Sequence, residues 1–290
     1  MLKLTATVLA LLVDGISYGM ILFLMSVGLT ITLGVMRIAN LAHCGFAMVG
    51  GYIGYALATQ AGLGLGLSLP LAAAATMLLG LALERTLFRW VYAVSELKQI
   101  LMTIGLAFVM VASVNAAFGS NLNTVPVPAL LEGNMTVGFL SLSTYRFFVI
   151  LVATAIAVTL WLVLEYTDYG ARLRAAVDNP RMARCIGIDV PKLFAGTFAL
   201  GCGLAAVAGV LGSQFLPLEP WYALKYLVPA LLVVAVGGHG SMKGSFYAAL
   251  LLGVIDTFGR YYIPGAGAFI IYLVVLALLL WRPQGVFARA

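Results

Sequence analysis

The sequence predicts an all-α polytopic membrane protein of about eight to nine transmembrane helices, forming one transmembrane domain over residues 1–290. Three observations carry that expectation. The composition is 63% hydrophobic and only 9% charged, with a mean hydropathy of +1.09, whereas soluble globular domains carry about 25% charged residues. Apolar stretches approaching the ~20 residues a bilayer requires recur along the chain. The sixteen Lys and Arg and ten Asp and Glu gather mostly between those stretches. A water-soluble fold is thereby excluded.

The chain opens MLKLTATVLALLVDGISYGMILFL, one lysine followed by an apolar run. That run outlasts the roughly 7–15 apolar residues of a secretion signal and lacks a convincing small-residue cleavage site. It reads as a retained first transmembrane helix. The expected spans lie near 8–34, 41–60, 63–83, 99–118, 146–165, 193–215, 245–261 and 266–281, with a shorter apolar segment at 227–237.

Positive charge orients these spans, because cytoplasmic loops carry the excess of Lys and Arg. Glu84–Gln99 holds Arg85, Arg89 and Lys98, the 166–192 segment holds five basic residues, and the ending WRPQGVFARA holds Arg282 and Arg289. These three read as cytoplasmic. Gly119–Tyr145, with Glu132 its one charge, and Pro217–Lys225 read as external. The sides alternate consistently if 227–237 also crosses, giving nine crossings with the N-terminus outside; otherwise there are eight. The C-terminus is expected inside. The net charge of +6 fits this orientation and contact with anionic headgroups, with no nucleic-acid partner.

Two spans are interrupted. VGLTITLGVMRIANLAHCGFAMVGGYIGYAL breaks at Arg37–His43, and LVPALLVVAVGGHGSMKGSFYAALLLGV breaks at the glycines Gly237, Gly238, Gly240 and Gly244. Short or glycine-interrupted membrane segments mark the discontinuous helices of transport pathways. One break in each half hints at an internal duplication. Gly201, Ala205, Gly209 and Ser213 recur every four residues, as do Gly50 and Gly54. Small residues at that spacing let helices touch where lipid gives no hydrophobic drive.

The stretch GARLRAAVDNPRMARCIGIDV, Gly170–Val190, is the long polar segment of the chain, with Arg172, Arg174, Arg181 and Arg184. An arginine at the bilayer centre costs at least about 2.5 kcal/mol, so this arm projects into water. Asn179 and Pro180 form a helix start, N-cap followed by Pro at N1, and Gly187 suits the position just past a helix end. Met182, Cys185 and Ile186 then share a face flanked by Arg181 and Arg184, a pattern that suits docking into a groove on another protein.

No catalytic motif stands out. GGHGSMKG at 237–244 lacks the spacing of a phosphate-binding loop, which requires GxxxxGK followed by Ser or Thr. The chain is therefore not expected to be an enzyme or to bind ATP by that route. Cys44, Cys185 and Cys202 lack a CxxC pairing and read as free thiols, with no metal site. Asp14 and Asp256 inside spans, and Arg37, His43, His239 and Arg260 at breaks or ends, are functional suspects because ionisable groups in membranes are costly. Asn40 and His43 stand out, since they occupy the early break.

The arm with the helix after it, GARLRAAVDNPRMARCIGIDVPKLFAGTFALGCGLAAVAGVL, resembles the permease subunits of bacterial ABC importers of the branched-chain amino acid type. So do SVGLTITLGVMRIANLAHCGFAMVGGYIGY, VAVGGHGSMKGSFYAALLLGV and the ending WRPQGVF, in the family's order. The resemblance implies a multi-pass subunit of the bacterial inner membrane that pairs with a second related permease, as a heterodimer or homodimer. It implies two cytoplasmic ATPase subunits that bind the ATP, and a periplasmic or extracellular solute-binding protein. By that resemblance Gly170, Arg172, Arg174, Ala175, Asn179, Pro180, Ala183, Arg184 and Gly187 form the ATPase-coupling arm. Asn40, His43, Gly237, Gly238, Gly240, Ser241 and Gly244 lie near the translocation route. One departure stands out: the family commonly has Gly and then an acidic residue after the histidine, where this chain has Cys44 and Gly45. The resemblance and this departure leave an amino acid, an amide, urea or another small polar solute as the expected cargo, a branched-chain or other amino acid first among them. The alternative is a self-sufficient proton-coupled transporter using Asp14 or Asp256.

Overall fold

A 35-residue helix, α1 (Leu2–Met36), runs through the middle of the molecule. It is predominantly apolar, and residues 20–25 are buried all round, as a helix enclosed by others must be. At ~1.5 Å per residue it is ~52 Å long, well beyond the ~30 Å of a hydrocarbon core. The structure is a computed structural model and describes residues 2–36, 40–91, 94–137, 140–238 and 240–286.

Around α1 the chain lays down α2 (His43–Thr59) and α3 (Leu65–Leu83), which continues through a π-helical turn at Glu84–Phe88 into α4 (Arg89–Val91). Next come α5 (Glu96–Phe118), an antiparallel hairpin of β1 (Asn134–Val137) and β2 (Leu140–Ser143), and α6 (Thr144–Tyr166). Two short helices, α7 (Asp168–Asp178) and α8 (Pro180–Cys185), lead into α9 (Val190–Gly212). The last three are α10 (Tyr222–Gly237), α11 (Met242–Tyr262) and α12 (Gly267–Trp281).

All nine expected apolar segments are helices, with ends shifted by up to six residues. Five segments, 5–33, 65–88, 96–118, 144–166 and 190–212, are long and apolar enough to cross a membrane; 222–237 and 269–281 are shorter apolar helices. The molecule is a polytopic all-α membrane protein, and the small hairpin is its one pair of strands among the described residues. Helix α7 was not anticipated. Its sequence DYGARLRAAVD is too polar to register in a search for apolar runs.

Burial separates a core from a lipid-facing rim. Of the α9 span 72% is buried and of the α1 span 56%, against 28% of α3 and α5 and 17% of α6. Rim leucines such as Leu78, Leu101 and Leu151 stand exposed, as suits a surface solvated by acyl chains. The core is built on small residues. A Cβ at Gly209 of α9 would overlap the Ala47 carbonyl of α2, and one at Gly50 would overlap Ala206. The stripes at Gly201–Ser213 and Gly50–Gly54 are thus contact faces, Gly201 meeting α1 and Gly209 meeting α2.

On the opposite side from the arm, the 119–143 connection is tied down. Asn123 and Leu218 exchange backbone bonds of 2.9 and 2.8 Å, the Val125 amide donates to Ser213 Oγ at 3.2 Å, and the Tyr145 hydroxyl donates to the Leu211 carbonyl at 2.8 Å. These bonds hold the loop over the α9–α10 junction.

Gly209→Val is expected to separate α2 from α9, because a backbone carbonyl cannot rotate aside as a side chain can. Overpacking of this kind costs about 1–3 kcal/mol, so thermal unfolding of the detergent-solubilised chain should fall by several degrees. Gly66→Val, at a position with nothing within 4 Å, should leave it unchanged.

Candidate functional site

The early break brings the chain back into the interior. α1 runs to Met36, eight residues past Gly28, yet α2 starts at His43 with its ring against Gly28. A Cβ at Gly28 would meet His43 Cε1 at 2.6 Å and Nε2 at 2.8 Å, with the Gly201 Cα at 2.8 Å. The chain therefore returns about 12 Å along the α1 axis before α2 begins. Irregular backbone at membrane depth is tolerated only where protein or a cavity surrounds it, and Asn40, Ala42 and His43 are all buried. Arg37 lies outside the described residues.

Asn40 shapes this turn: its Oδ1 accepts from the Ala42 amide at 3.1 Å, and its carbonyl accepts from the His43 amide at 3.2 Å. Its amide Nδ2 and both ring nitrogens of His43 are buried without a hydrogen bond of good geometry, apart from a loose approach of the ring to the Met25 backbone. A polar group buried unpaired costs on the order of 2–7 kcal/mol, which makes these two side chains candidates for contact with a polar solute. Cys44, beside them, is fully buried.

The late break is a glycine hairpin. Gly237 ends α10, Gly238 and Gly240 take φ of +87° and +77°, and Ser241 caps α11 by accepting from the Gly244 amide at 3.0 Å. A Cβ at Gly244 would overlap the Gly237 carbonyl, so the two helices meet backbone to backbone. His239 lies outside the described residues. Residues 282–286 fold back on this corner: the Val286 amide donates to the Val236 carbonyl at 2.8 Å, and Gly285 packs on Gly238.

Both breaks sit at one level of α1. The late break reaches it through Ser245, whose hydroxyl shares a 2.8 Å hydrogen bond with Thr30; the early break reaches it at Gly28. Two residues apart on a helix is ~3 Å along the axis and ~200° around it. The breaks therefore straddle α1. Asn40 and His43 lie on one face, and Gly237, Gly238, Gly240, Ser241 and Gly244 belong to the corner on the other. Ser26, Thr30 and Thr32, all buried, complete a polar band on α1 that a search for charges misses. The signal was present as hydroxyls at 26 and 30, one turn apart.

The arm is a built unit. Asn179 caps α8, its Oδ1 accepting from the Met182 amide at 3.0 Å, with Pro180 at N1. Gly187, at φ +87°, ends it: its amide donates to the Arg184 carbonyl at 3.1 Å, and that of Ile188 to the Ala183 carbonyl at 3.0 Å. That pair of bonds is a Schellman motif. Ala176, Ala183 and Val190 form a small core beneath, with Ile188, Leu193 and Phe194 against it. Asp189 caps α9, and the Lys192 side chain bound to it holds its carboxyl below the usual range.

Not all nine arm residues face outward. Gly170 is buried because a Cβ there would overlap the Leu164 carbonyl of α6, and Arg174 donates from its guanidinium to that same carbonyl. Together they fold α7 back on the end of α6. Ala183 is buried and Ala175 half-buried, while Arg172, Asn179, Pro180, Arg184 and Gly187 are exposed. The exposed apolar groups are Met182 and Ile186, at 61% and 69% exposure. They are a turn apart, with the exposed Arg181 and Arg184 beside them. Asp14 is ion-paired with Arg146 of α6, and Asp256 with Arg260 at 2.7 Å.

A model of the family described as branched-chain amino acid transport system / permease component matches residues 11–280. The chain belongs to this family. It is 30% identical over 293 residues, 96% of this chain and 95% of the relative, to the high-affinity branched-chain amino acid transport system permease protein BraD of Pseudomonas aeruginosa. It is 26% identical to the corresponding LivH of Escherichia coli, covering 95% and 94% of the two chains. A solved structure, PsaBC from Streptococcus pneumoniae in complex with Fab, shares the fold with a TM-score of 0.51 at 16% identity, over 94% of this chain and 89% of that one. As a member of the permease family, the chain has its breaks and arm inside the family match.

Asn179→Ala removes the cap of α8, a change worth about 1 kcal/mol. Deuterium uptake over residues 180–187 should rise several-fold in hydrogen-exchange mass spectrometry, with 199–211 still protected. Equal uptake in both chains would show that the cap does not hold the arm.

Proposed function

We propose that this permease is the gate of an ATP-driven importer, opened and closed through the arm by ATPase subunits that bind the nucleotide. The observation that carries this is the exposed Met182–Ile186 pair on a polar, basic arm. An apolar pair in water is stabilised by being covered, and the short helix that bears it has the shape of a groove ligand. The Schellman turn, the Asn179 cap and the core at Ala176, Ala183 and Val190 make that helix rigid. Gly170 and Arg174 tie it to the end of α6, so force on the arm is delivered to the bundle.

The partners follow from this reading: two ATPase subunits in the cytoplasm, a second related permease, and a solute-binding protein on the far side. Placement in the bacterial inner membrane with the C-terminus cytoplasmic is supported by charge. Arg85 and Arg89 after α3 line the same cavity as Arg184 and Lys192, so these basic segments lie on one side, as inward-facing loops should. The C-terminal segment packs on the end of α10, next to Lys243 at the start of α11.

The cargo proposed is a branched-chain amino acid or similar small polar solute, as the names of the relatives suggest. Asn40 and His43 supply unpaired donors and acceptors at the early break. With Cys44 after the histidine, an ammonium finds no carboxylate at that position. A proton-coupled mechanism is disfavoured by the pairing of Asp14 with Arg146 and Asp256 with Arg260, since a paired carboxylate is a poor proton carrier.

Met182→Glu combined with Ile186→Glu should cut uptake at least ~10²-fold, the scale of losing a buried apolar anchor pair. Membrane insertion should be normal, and copurification with the ATPase should be lost. Unchanged uptake by the inserted double variant would sink the coupling role. His43→Ala should lower uptake with the ATPase still bound; normal uptake would remove the histidine from the route.

A further inference from the structure

We infer that the cavity between the end of α3 and the arm is a binding site for an anionic phospholipid headgroup. The cavity is about 550 Å³, within the roughly 300–1,000 Å³ of small-molecule sites. Arg85 and Arg89 line it from the α3 side, Arg184 from α8 and Lys192 from the start of α9, with Phe194 and Glu84 also in the wall. Lys192 is paired with Asp189 at 2.8 Å. Arg85, Arg89 and Arg184 have no ion pair with a carboxylate among the described residues. Three guanidiniums, from the turn after α3, from α4 and from α8, thus line one cavity in which four basic side chains face the single lining carboxyl of Glu84. Arginine is the side chain suited to bidentate capture of phosphate.

The surroundings select a lipid over a soluble anion. Leu71 and Leu78 are exposed at 46% and 66%, and they stand seven residues apart, on one face of α3. An apolar ridge on the membrane rim therefore runs along α3 toward the turn that carries Arg85. That is the layout of an amphiphile, with acyl chain along the ridge and phosphate at its end. Trp90, 68% exposed with the Arg89 guanidinium 5.1 Å above its ring, marks the depth as the headgroup layer, where tryptophan is enriched. Basic pockets at this depth suit anionic headgroups. The far wall is the arm, so a bound phosphate bridges α3 to α8 and steadies the segment that carries Met182 and Ile186. This inference depends only on the membrane-spanning fold, not on the identity of the motor or cargo.

The test uses the full chain in nanodiscs of phosphatidylcholine doped with phosphatidylglycerol. Retained lipid is counted by native mass spectrometry, and contact is read by quenching of Trp90 with brominated phosphatidylglycerol, Trp90→Phe giving the background. Arg85→Gln with Arg89→Gln should lower phosphatidylglycerol retention by about 5-fold for each charge removed. Arg85→Lys with Arg89→Lys should restore most of it, and Arg282→Gln should leave it unchanged. If the double Gln variant does not fold, the two single variants serve in its place. Equal retention by native and Gln chains, equal retention of phosphatidylcholine, or full displacement by millimolar inorganic phosphate would each overturn the assignment. So would loss of ATPase copurification in the Gln variant with phosphatidylglycerol still bound, which would make the cavity a protein contact.

Discussion

Backbone-to-backbone approach of helices without large side chains between them is the constraint on which the rest of this structure depends. In lipid, association gains little from apolar burial, so stability comes from close packing. Gly28 against Gly201, Gly19 against Gly253 and Gly209 against Ala47 bring α1, α2, α9 and α11 within reach of one another. Because these contacts are tight, the core has no slack into which a polar break can be hidden. The breaks are instead placed where the close contacts are, with His43 on Gly28 and Ser245 beside Thr30.

That placement explains how polar atoms survive at depth. Each hydroxyl of the α1 band has a nearby acceptor: Ser26 donates to the Phe23 carbonyl at 3.2 Å, Thr30 to that of Ser26 at 3.0 Å, and Thr32 to that of Leu29 at 3.1 Å. They are satisfied locally and cost little. Asn40 Nδ2 and the ring nitrogens of His43 are among the exceptions, the His43 ring being packed against Gly28. The arm solves the opposite problem. In water it needs its own small core and two caps to stay ordered, and it has both.

Much of this was legible in the sequence, for reasons that differ by element. Long apolar runs announced the spans, since a bilayer imposes a minimum length that few other pressures mimic. The arm was readable because Asn179, Pro180 and Gly187 each have a local stereochemical reason to sit where they do. The inward faces of Gly170 and Ala183 were not readable, nor was the Arg174 bond to Leu164. These depend on how α7 folds back on α6, and no short-range pattern encodes that. The straddling of α1 by the two breaks was hidden for the same reason. Residues 28 and 30 are neighbours in sequence but face opposite ways, and only the assembled bundle shows what each one meets.

The fold-back of the C-terminal segment has a mechanical corollary. Through Val286 on Val236 and Gly285 on Gly238, the end of α12 is latched to the corner joining α10 and α11. A hinge at that corner cannot swing alone. Any rotation of the glycine elbow must carry α12 with it or first unfasten the latch, so the end of the chain sets the stiffness of that joint.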